Sequence, residues 1–353
     1  MKISPSVKVS SMYEKEGVLY VTWSDNHKGF IPLADLDLTS NEVVMLNGVE
    51  QSLKKLTKKR SSNGYSEKIN ASNPYFLWDS NSMESEEKSH VVFEFNHVMK
   101  DTKCLLQLIE AFEKYGVVQV RNCFGNFGAC EILAKRIGMI RTTIYGDTFV
   151  ITNNPEVTAL ESRVYTNANL PPQTDLPYYE LSPEVIVFHS IEKAEFGGES
   201  FFVDGFHCAS LLRQHAPKHF DVLSNVRVPF RKNFLEKGFD MISNHFVIEC
   251  NPDTSAVERI HFDEGNRQSL NWDLPVENKK DFYDALRSFR DLIFDEKNRF
   301  EFMMDRGDIT IFDNRRVLHG SKAFVGKRVI EGCYLDWQSV HGNYRSQMAK
   351  ISK

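Results

Sequence analysis

The stretch "VIVFHSIEKAEFGGESFFVDGF", residues 185–206, contains two short apolar segments separated by polar residues and a pair of glycines. Apolar runs of this length, bounded by turn residues, are typical of β-strands rather than of helices. The same pattern extends over residues 145–210. It returns later in the chain, where "FEFMM", "DRGD" and "ITIFDN" indicate a strand, a tight turn and a second strand. The sequence therefore predicts a domain with many short strands.

Helical periodicity occurs before this region and once within it. In residues 103–116 apolar side chains recur at helical spacing, Gly116 can end the helix, and the strand-like "VVQV" follows. A second amphipathic helix is predicted at residues 129–137, and a long one is predicted around Phe282, Leu286, Phe289 and Ile293. This order of elements favours an α+β fold, mainly β, in which flanking helices surround a jelly-roll core.

The first part of the chain has a different character. Residues 18–33 indicate two strands joined by a polar turn. Residues 53–74 are basic and then rich in Ser and Asn, which favours an exposed loop or linker over a nuclear-localisation signal or a patch for an anionic partner. We therefore predict a small β-rich N-terminal domain at residues 1–90 and a larger domain at residues 91–353.

Composition narrows the range of functions. A hydrophobic fraction of 41% and a charged fraction of 26% are ordinary for a globular protein, and the net charge of −5 argues against non-specific nucleic-acid binding. We expect no membrane partner, because no apolar run approaches the length of a membrane span. The first residues show no targeting signal, so we expect a cytoplasmic rather than a mitochondrial location. The six cysteines are scattered without a CxxC pair, which suits reduced thiols.

Asp175 and His319 are the first candidates for a metal site. One carboxylate and one distant imidazole, each at a predicted strand end, are an arrangement that leaves open positions on a non-haem Fe(II). Spacing alone is weak evidence, because a chain with 11 His offers many such pairs. The motifs around these two residues carry more information.

Four motifs resemble those of one enzyme family, in the same order along the chain. They are residues 185–206 together with "YTNANLPPQTDLPYY" (165–179), "GDITIFDNRRVLHG" (307–320) and "RVIEGCYLDW" (328–337). Over about residues 100–340 the chain resembles the gamma-butyrobetaine and trimethyllysine hydroxylases of carnitine biosynthesis, within the taurine-dioxygenase-like oxygenases. The resemblance implies a double-stranded β-helix, Fe(II), the co-substrate 2-oxoglutarate, a trimethylammonium substrate to be hydroxylated, and a homodimer.

The resemblance also implies an iron site and a co-substrate site. Asp175 and His319 match two ligands of an HxD…H triad, while Gln173 occupies the position of the first histidine. An amide oxygen has the same reach as the imidazole nitrogen, but it is a weaker donor on a more flexible side chain. Arg328 matches the arginine that binds the distal carboxylate of 2-oxoglutarate, for which a planar guanidinium is well suited. His189 matches a family histidine that is not assigned to the iron.

The substrate residues follow in the same way. An aromatic cage for the quaternary ammonium group is implied at Tyr145, Phe149, Tyr165 and Tyr334, because aromatic faces attract a cation that cannot donate hydrogen bonds. At the opposite end of the substrate, Asp263 replaces a family asparagine. A carboxylate there disfavours a substrate carboxylate, so the substrate either lacks the usual acid end or carries an amino group.

Other positions depart from the family pattern. Ser162 aligns with a second asparagine of the family pocket, and Arg315 stands where a tryptophan is usual. Relatives carry a Cys-rich zinc-binding turn, but this chain has no cysteine before Cys104 and only His27 in that turn, so no structural zinc is expected.

Two functions are therefore considered. The first is an Fe(II)- and 2-oxoglutarate-dependent hydroxylase of a trimethylammonium compound related to gamma-butyrobetaine. The second is a catalytically impaired relative that binds a quaternary-ammonium metabolite or regulates an active enzyme, as the changes at Gln173, Asp263 and Arg315 suggest.

Overall fold

The computed structural model describes residues 9–15, 18–23, 28–32, 75–85, 90–153, 165–270 and 276–351. The chain forms two compact units, Met1–Ser72 and Asn73–Lys353. In the first unit, three strands form one antiparallel sheet: β1 (Val9–Lys15), β2 (Val18–Trp23) and β3 (Lys28–Pro32). The two strands expected at residues 18–33 correspond to β2 and β3, whereas β1 was not predicted.

The division between the units lies earlier than the predicted boundary at residue 90. Trp78 and Met83 explain the difference, because both side chains are 0% exposed within the core of the second unit. The indole nitrogen of Trp78 also donates a hydrogen bond to the carbonyl oxygen of Tyr115, at 2.7 Å. The predicted loop at residues 53–74, Ser162, and the turn with His27 where no zinc is expected lie outside the described residues.

Helices of the second unit surround its sheets. Those of the described residues are α1 (Ser80–Ser85), α2 (Phe95–Lys100), α3 (Thr102–Tyr115), α4 (Ala129–Ile137), α5 (Gly205–His215), α6 (Pro217–Asn225), α7 (Val276–Phe294) and α8 (Trp337–Ile351), with short 3-10 turns at Leu235–Lys237 and Glu296–Asn298. The three predicted helices are confirmed as α3, α4 and α7. The apolar stripe of α7 is buried in the core, and α3 ends at Gly116, as predicted. None of the described helices is long and apolar enough to cross a bilayer.

The largest sheet of the second unit has six strands in the order β4–β5–β16–β8–β19–β6. Their bounds are β4 (Val92–Glu94), β5 (Val117–Arg121), β16 (Ile309–Asp313), β8 (Val185–Glu192), β19 (Val329–Leu335) and β6 (Thr148–Thr152). Only β4 and β5 pair in parallel among these neighbours, and every residue of β16 and β19 is buried. Such burial on both faces places these two strands inside the unit.

A second sheet has four strands in the order β15–β10–β17–β7. Their bounds are β15 (Arg299–Phe302), β10 (Ser200–Asp204), β17 (Val317–Ser321) and β7 (Leu170–Gln173). Smaller pairs join β9 (Phe196–Gly197) to β18 (Phe324–Val325), β11 (Arg227–Phe234) to β12 (Phe239–Phe246), and β13 (Ile248–Cys250) to β14 (Val257–Ile260). The mixture of helices with many short strands agrees with the predicted α+β class. The strand predicted in "FEFMM" is β15, which ends before the two methionines.

A buried ion pair joins helix α5 to strand β17. The Asp204 carboxylate accepts the Phe206 backbone N–H of α5 at 3.0 Å, and it accepts the Arg316 guanidinium at 2.7 and 3.1 Å. Both charged side chains are 0% exposed. Arg316 further donates to the carbonyl oxygens of Lys114 and Phe76, so a single guanidinium links three segments of the second unit.

We expect Asp204→Ala to destabilise the protein by about 3–5 kcal/mol, because the substitution leaves the Arg316 guanidinium buried without its counter-charge. The free energy of unfolding in urea measures this loss. Asp240→Ala, which removes one partner of the exposed Arg231–Asp240 pair, is the matched control and should leave the urea midpoint unchanged. Equal effects of the two variants would contradict the assigned role of the buried pair.

Candidate active site

The predicted site residues line one cavity of about 690 Å³. Both larger sheets contribute to it, the six-stranded sheet through Phe188 and the four-stranded sheet through Ser200, for example. The cavity contains all nine predicted residues: Tyr145, Phe149, Tyr165, Gln173, Asp175, Asp263, His319, Arg328 and Tyr334.

Pairing of β7 with β17 brings the candidate metal ligands together. Gln173 is the register partner of His319, and Asp175 follows two positions after Gln173. The Oδ1 atom of Asp175 lies 3.5 Å from Nε2 of His319 and 3.4 Å from Nε2 of Gln173. The Gln173 amide and the His319 imidazole, the latter 144 positions after Asp175 in the chain (319 − 175), therefore both face one carboxylate oxygen.

The backbone of Asp175 is held on both sides by Asn314. The Asn314 amide oxygen accepts the Asp175 backbone N–H at 2.7 Å, and its Nδ2 donates to the Asp175 carbonyl oxygen at 2.9 Å. The next residue, Leu176, has φ of 56°, in the left-handed region that a branched residue rarely adopts. Strain of this kind persists where the surrounding contacts enforce it, and it is frequent at functional sites.

The Asp175 carboxylate has a further partner in Tyr334. The Tyr334 hydroxyl donates to Oδ2 of Asp175 at 2.8 Å. Burial, followed by the nearby charge of Asp175, raises the pKa of Tyr334 well above its ordinary value, so the phenol stays protonated and acts as a donor. One carboxylate oxygen is thus bonded to Tyr334, and the other faces His319 and Gln173.

His319 is suited to act as a neutral ligand. The rings of Phe312 and Phe188 lie 4.7 and 5.7 Å from its ring, and burial lowers its pKa. A low pKa keeps the imidazole neutral at physiological pH, and the neutral form is the one that binds metal ions.

The donor set fits a divalent metal ion with one replaced ligand. Two ligand atoms bound at about 2.1 Å and at right angles lie about 3 Å apart, close to the 3.5 Å that separates Asp175 Oδ1 from His319 Nε2. Within the described parts of the chain, no group of three or more His, Cys, Asp and Glu side chains could hold a metal ion. The polar groups that face one another here are the Asp175 carboxylate, the His319 imidazole and the Gln173 amide.

Arg328 presents a partly buried cation to the same cavity. Its Nη2 donates to the Ser200 hydroxyl at 3.3 Å, and its guanidinium lies 5.9 Å from the Phe324 ring. No acidic side chain of the described residues pairs with it, and burial lowers its pKa to about 10. A partly desolvated guanidinium with no acidic partner among the described residues is a favourable site for a carboxylate ligand such as the distal end of 2-oxoglutarate.

Aromatic side chains form another wall of the cavity. The Phe149 and Tyr334 rings stack at 4.9 Å, and Tyr145 lies 6.1 Å from Phe149. Gly332 makes this stack possible, because a Cβ at that position would lie 2.6 Å from the Phe149 ring. Tyr165 lines the cavity as well.

Two aromatic residues of this wall were not predicted. The Phe234 ring lies 5.7 Å from Tyr145 and 5.8 Å from Tyr178, and the Tyr145 and Tyr178 hydroxyls are 3.1 Å apart. Tyr178 stands within the motif at residues 165–179, so its position was a usable signal. Phe234 ends strand β11, in a hairpin with no counterpart among the predicted strands.

The polar end of the cavity is built around Asp263. This buried carboxylate accepts the backbone N–H groups of Gly265 and Asn266 at 2.8 and 3.2 Å and the side-chain amide of Asn266. Burial raises its pKa. The turn is tied to the metal-ligand segment, since Thr174 N–H donates to the Phe262 carbonyl oxygen at 2.7 Å. Its position near the candidate metal ligands is therefore fixed by the backbone.

Arg315 and His189 lie away from the cavity wall. Arg315 pairs with Asp313 at 3.0 Å and packs over the Trp337 ring at 5.2 Å, so its cation is directed into the protein rather than toward the site. His189 Nδ1 lies 3.1 Å from the buried Glu331 carboxylate, which also accepts the Gly128 N–H before α4. Neither residue is among those that line the cavity.

One carboxylate and one imidazole, beside an arginine that pairs with none of the described acidic side chains, are of the kind used by non-haem iron enzymes with a carboxylate co-substrate. Sequence comparison gives the same class: the model of the taurine catabolism dioxygenase TauD, TfdA family matches residues 81–334. The chain belongs to this family, as the sequence motifs predicted.

Individual relatives are similar over most of the chain. The chain is 31% identical to the gamma-butyrobetaine dioxygenase of Homo sapiens over 257 residues, which are 71% of this chain and 65% of that protein. It is 27% identical to the mitochondrial trimethyllysine dioxygenase of Mus musculus over 334 residues, which are 93% of this chain and 72% of that protein. The chain thus spans slightly less than two thirds of the length of the human relative.

A solved structure has the same fold at lower identity. The structure described as a putative alpha-ketoglutarate-dependent taurine dioxygenase from Burkholderia xenovorans matches with a TM-score of 0.52 and 14% identity. The match covers 70% of this chain and 89% of the other. This likeness identifies a TauD-like oxygenase fold.

A pair of stacked histidines lies behind the Asp263 turn. The His245 and His261 rings are 3.9 Å apart and nearly parallel, and His261 Nε2 lies 3.2 Å from a Glu249 carboxylate oxygen. Burial lowers the pKa of His261 from 6.5 to about 4. The unfolded chain therefore binds this proton at a higher pH than the folded protein does.

We expect the stability of the protein to fall as the pH decreases from about 6.5 toward 4. In this range the unfolded state binds a proton at His261 that the folded state does not bind. His261→Gln should reduce this slope, measured as the urea midpoint at pH 7 and pH 5. His215→Gln, at an exposed histidine, is the control and should keep the wild-type slope. An unchanged slope in His261→Gln would show that other groups cause the pH dependence.

Proposed function

We propose that this protein is an Fe(II)- and 2-oxoglutarate-dependent dioxygenase that hydroxylates a trimethylammonium substrate of the gamma-butyrobetaine type. The observation that supports it is the meeting, in one cavity, of the Asp175–His319 pair, an aromatic wall and the Arg328 cation, which has no acidic partner among the described residues. We also propose that the two larger sheets form the halves of a double-stranded β-helix, since both contribute residues to this cavity.

The names of the relatives support the choice of substrate. The human relative is a gamma-butyrobetaine dioxygenase, and the mouse relative is a trimethyllysine dioxygenase. Both named substrates share a trimethylammonium group, which the aromatic wall of this cavity is suited to bind. A role in carnitine biosynthesis is part of the proposal.

Each polar residue has a separate task. Asp175 and His319 would hold the metal ion, and the Gln173 amide oxygen would complete the protein side of its shell after rotation of the amide. Arg328 would bind the distal carboxylate of 2-oxoglutarate through charge-assisted hydrogen bonds. When bound, Fe(II) would activate O₂, which is the oxidant of the reaction: one oxygen atom would enter the substrate as a hydroxyl group and the other would enter succinate as 2-oxoglutarate loses CO₂.

The walls of the cavity orient the substrate and limit water. The quaternary ammonium group would lie against Tyr145, Phe149 and Tyr165, where it makes cation–π contacts in place of hydrogen bonds. Its opposite end would reach Asp263. Because that carboxylate is fixed in its own turn, it favours a substrate end with N–H donors over a bare carboxylate.

We expect succinate to form when trimethylammonium compounds are supplied with Fe(II), 2-oxoglutarate and O₂. Isosteric compounds whose ammonium nitrogen is replaced by carbon should bind at least about tenfold more weakly, because they have the same shape but lack the charge that the aromatic faces attract. The KM for each member of a charged and neutral pair measures this difference. Equal KM values within every pair would exclude cation recognition by the aromatic wall.

A second function is favoured by the amide at position 173. The Nε2 atom of Gln173 faces the Asp175 carboxylate at 3.4 Å, so the amide can act as a hydrogen-bond donor to Asp175 instead of a metal ligand. A protein with this arrangement would keep the pocket for a quaternary ammonium metabolite but hold iron poorly. It would serve as a binding protein or as a regulator of an active relative.

The visible charge-transfer absorption of Fe(II) chelated by 2-oxoglutarate, recorded without O₂, distinguishes the two functions. We expect the band in the wild-type protein and a higher iron affinity in Gln173→His, because imidazole is the stronger donor. His319→Ala should lose the band and serves as the negative control. A band that is missing in the wild type but present in Gln173→His would favour the impaired protein.

A further inference from the structure

The structure assigns Tyr334 a positioning role: we propose that its hydroxyl fixes the rotation of the Asp175 carboxylate, so that a single oxygen is presented to the metal ion. This role is distinct from the contribution of the Tyr334 ring to the aromatic wall. The inference rests on the proposed metal site, and it concerns a contact that is present within the protein itself.

The two oxygens of the Asp175 carboxylate have different partners. Tyr334 donates to Oδ2 at 2.8 Å, while Oδ1 lies 3.5 Å from His319 Nε2. A carboxylate whose second oxygen accepts a strong hydrogen bond binds a metal ion through its first oxygen alone. One-oxygen ligation leaves more open positions on the ion, which a chelating co-substrate and O₂ require.

The backbone contacts of Asp175 do not fix this rotation. Asn314 forms hydrogen bonds with the backbone N–H and carbonyl groups of Asp175, and these bonds fix the position of the Asp175 backbone. The final torsion of an aspartate side chain is broad and has no sharp preferred value. A partner on the carboxylate itself must therefore select its orientation. The Gln173 amide donates to Oδ1 at 3.4 Å, whereas Tyr334 donates the much shorter bond, 2.8 Å, to Oδ2 and is the stronger of the two uncharged partners.

Tyr334 is itself rigidly placed. Its side chain is 3% exposed, it lies within the fully buried strand β19, and its ring stacks on Phe149 at 4.9 Å. Because Gly332 has no side chain, the Phe149 ring packs directly against strand β19, and this contact keeps the stack in place. A hydroxyl on such a ring has little freedom to move, so it can act as a fixed reference point for the carboxylate.

Tyr334→Phe tests the inference because it keeps the ring and removes only the hydroxyl. We expect the dissociation constant for Mn(II), measured from the electron paramagnetic resonance signal of the free ion, to rise about 10–100-fold. The Mn(II)-dependent increase in melting temperature should shrink in parallel. This second measurement compares each variant with and without metal, so it remains informative if Tyr334→Phe is less stable.

Tyr344→Phe is the matched control, since the Tyr344 hydroxyl donates to the Glu110 carboxylate at 2.6 Å, away from the cavity. It should retain the wild-type Mn(II) affinity. If the wild type binds Mn(II) and Tyr334→Phe binds it equally well, the positioning role is overturned while the proposed function stands. If the wild type binds no Mn(II), both the metal site and the positioning role are overturned.

Discussion

The antiparallel pairing of β7 with β17 is the constraint on which the site depends. Register pairing of Gln173 with His319 determines which side chains face the cavity, and a shift of one residue would turn both away from it. Asp175, just beyond the end of β7, reaches the same point because Asn314 fixes its backbone. Although His319 is far from Gln173 and Asp175 in the chain, the folded backbone already holds their side chains next to one another.

Surrounding contacts keep this pairing in place. The Asp204–Arg316 pair lies at one end of β17 and links it to α5, and the backbone bond from Thr174 to Phe262 links the ligand segment to the Asp263 turn. The polar groups of the site are thus held by the backbone and by buried charges, while the substrate wall is formed by aromatic packing. This division lets the chemistry of position 173 change without loss of the fold.

Much of the fold could be predicted from local pattern. Helices α3, α4 and α7 follow from their apolar periodicity, and β5, β8 and β16 follow from short apolar runs. The β11–β12 hairpin was not predicted, because charged residues alternate irregularly with its apolar ones and several of its side chains are exposed. Its contribution of Phe234 to the cavity was missed for the same reason.

Sequence indicated which residues lie near one another but not the contacts they make. The family resemblance named nine residues that line the cavity, yet the partners of Asp175 and the direction of Arg315 depend on distances that sequence spacing does not contain. Arg315 turns to Asp313, two residues earlier, because a buried guanidinium is most stable beside a carboxylate. The Tyr334 hydroxyl meets Asp175 only because β19 and the end of β7 adjoin the same cavity.

The most direct test of the metal site is anomalous diffraction from crystals grown without O₂ and soaked with Mn(II) and 2-oxoglutarate. The proposed site predicts one strong peak within bonding distance of Asp175 Oδ1 and His319 Nε2, with the distal carboxylate of 2-oxoglutarate on Arg328. A peak remote from both ligands, or no peak in a crystal that has taken up 2-oxoglutarate, would contradict it.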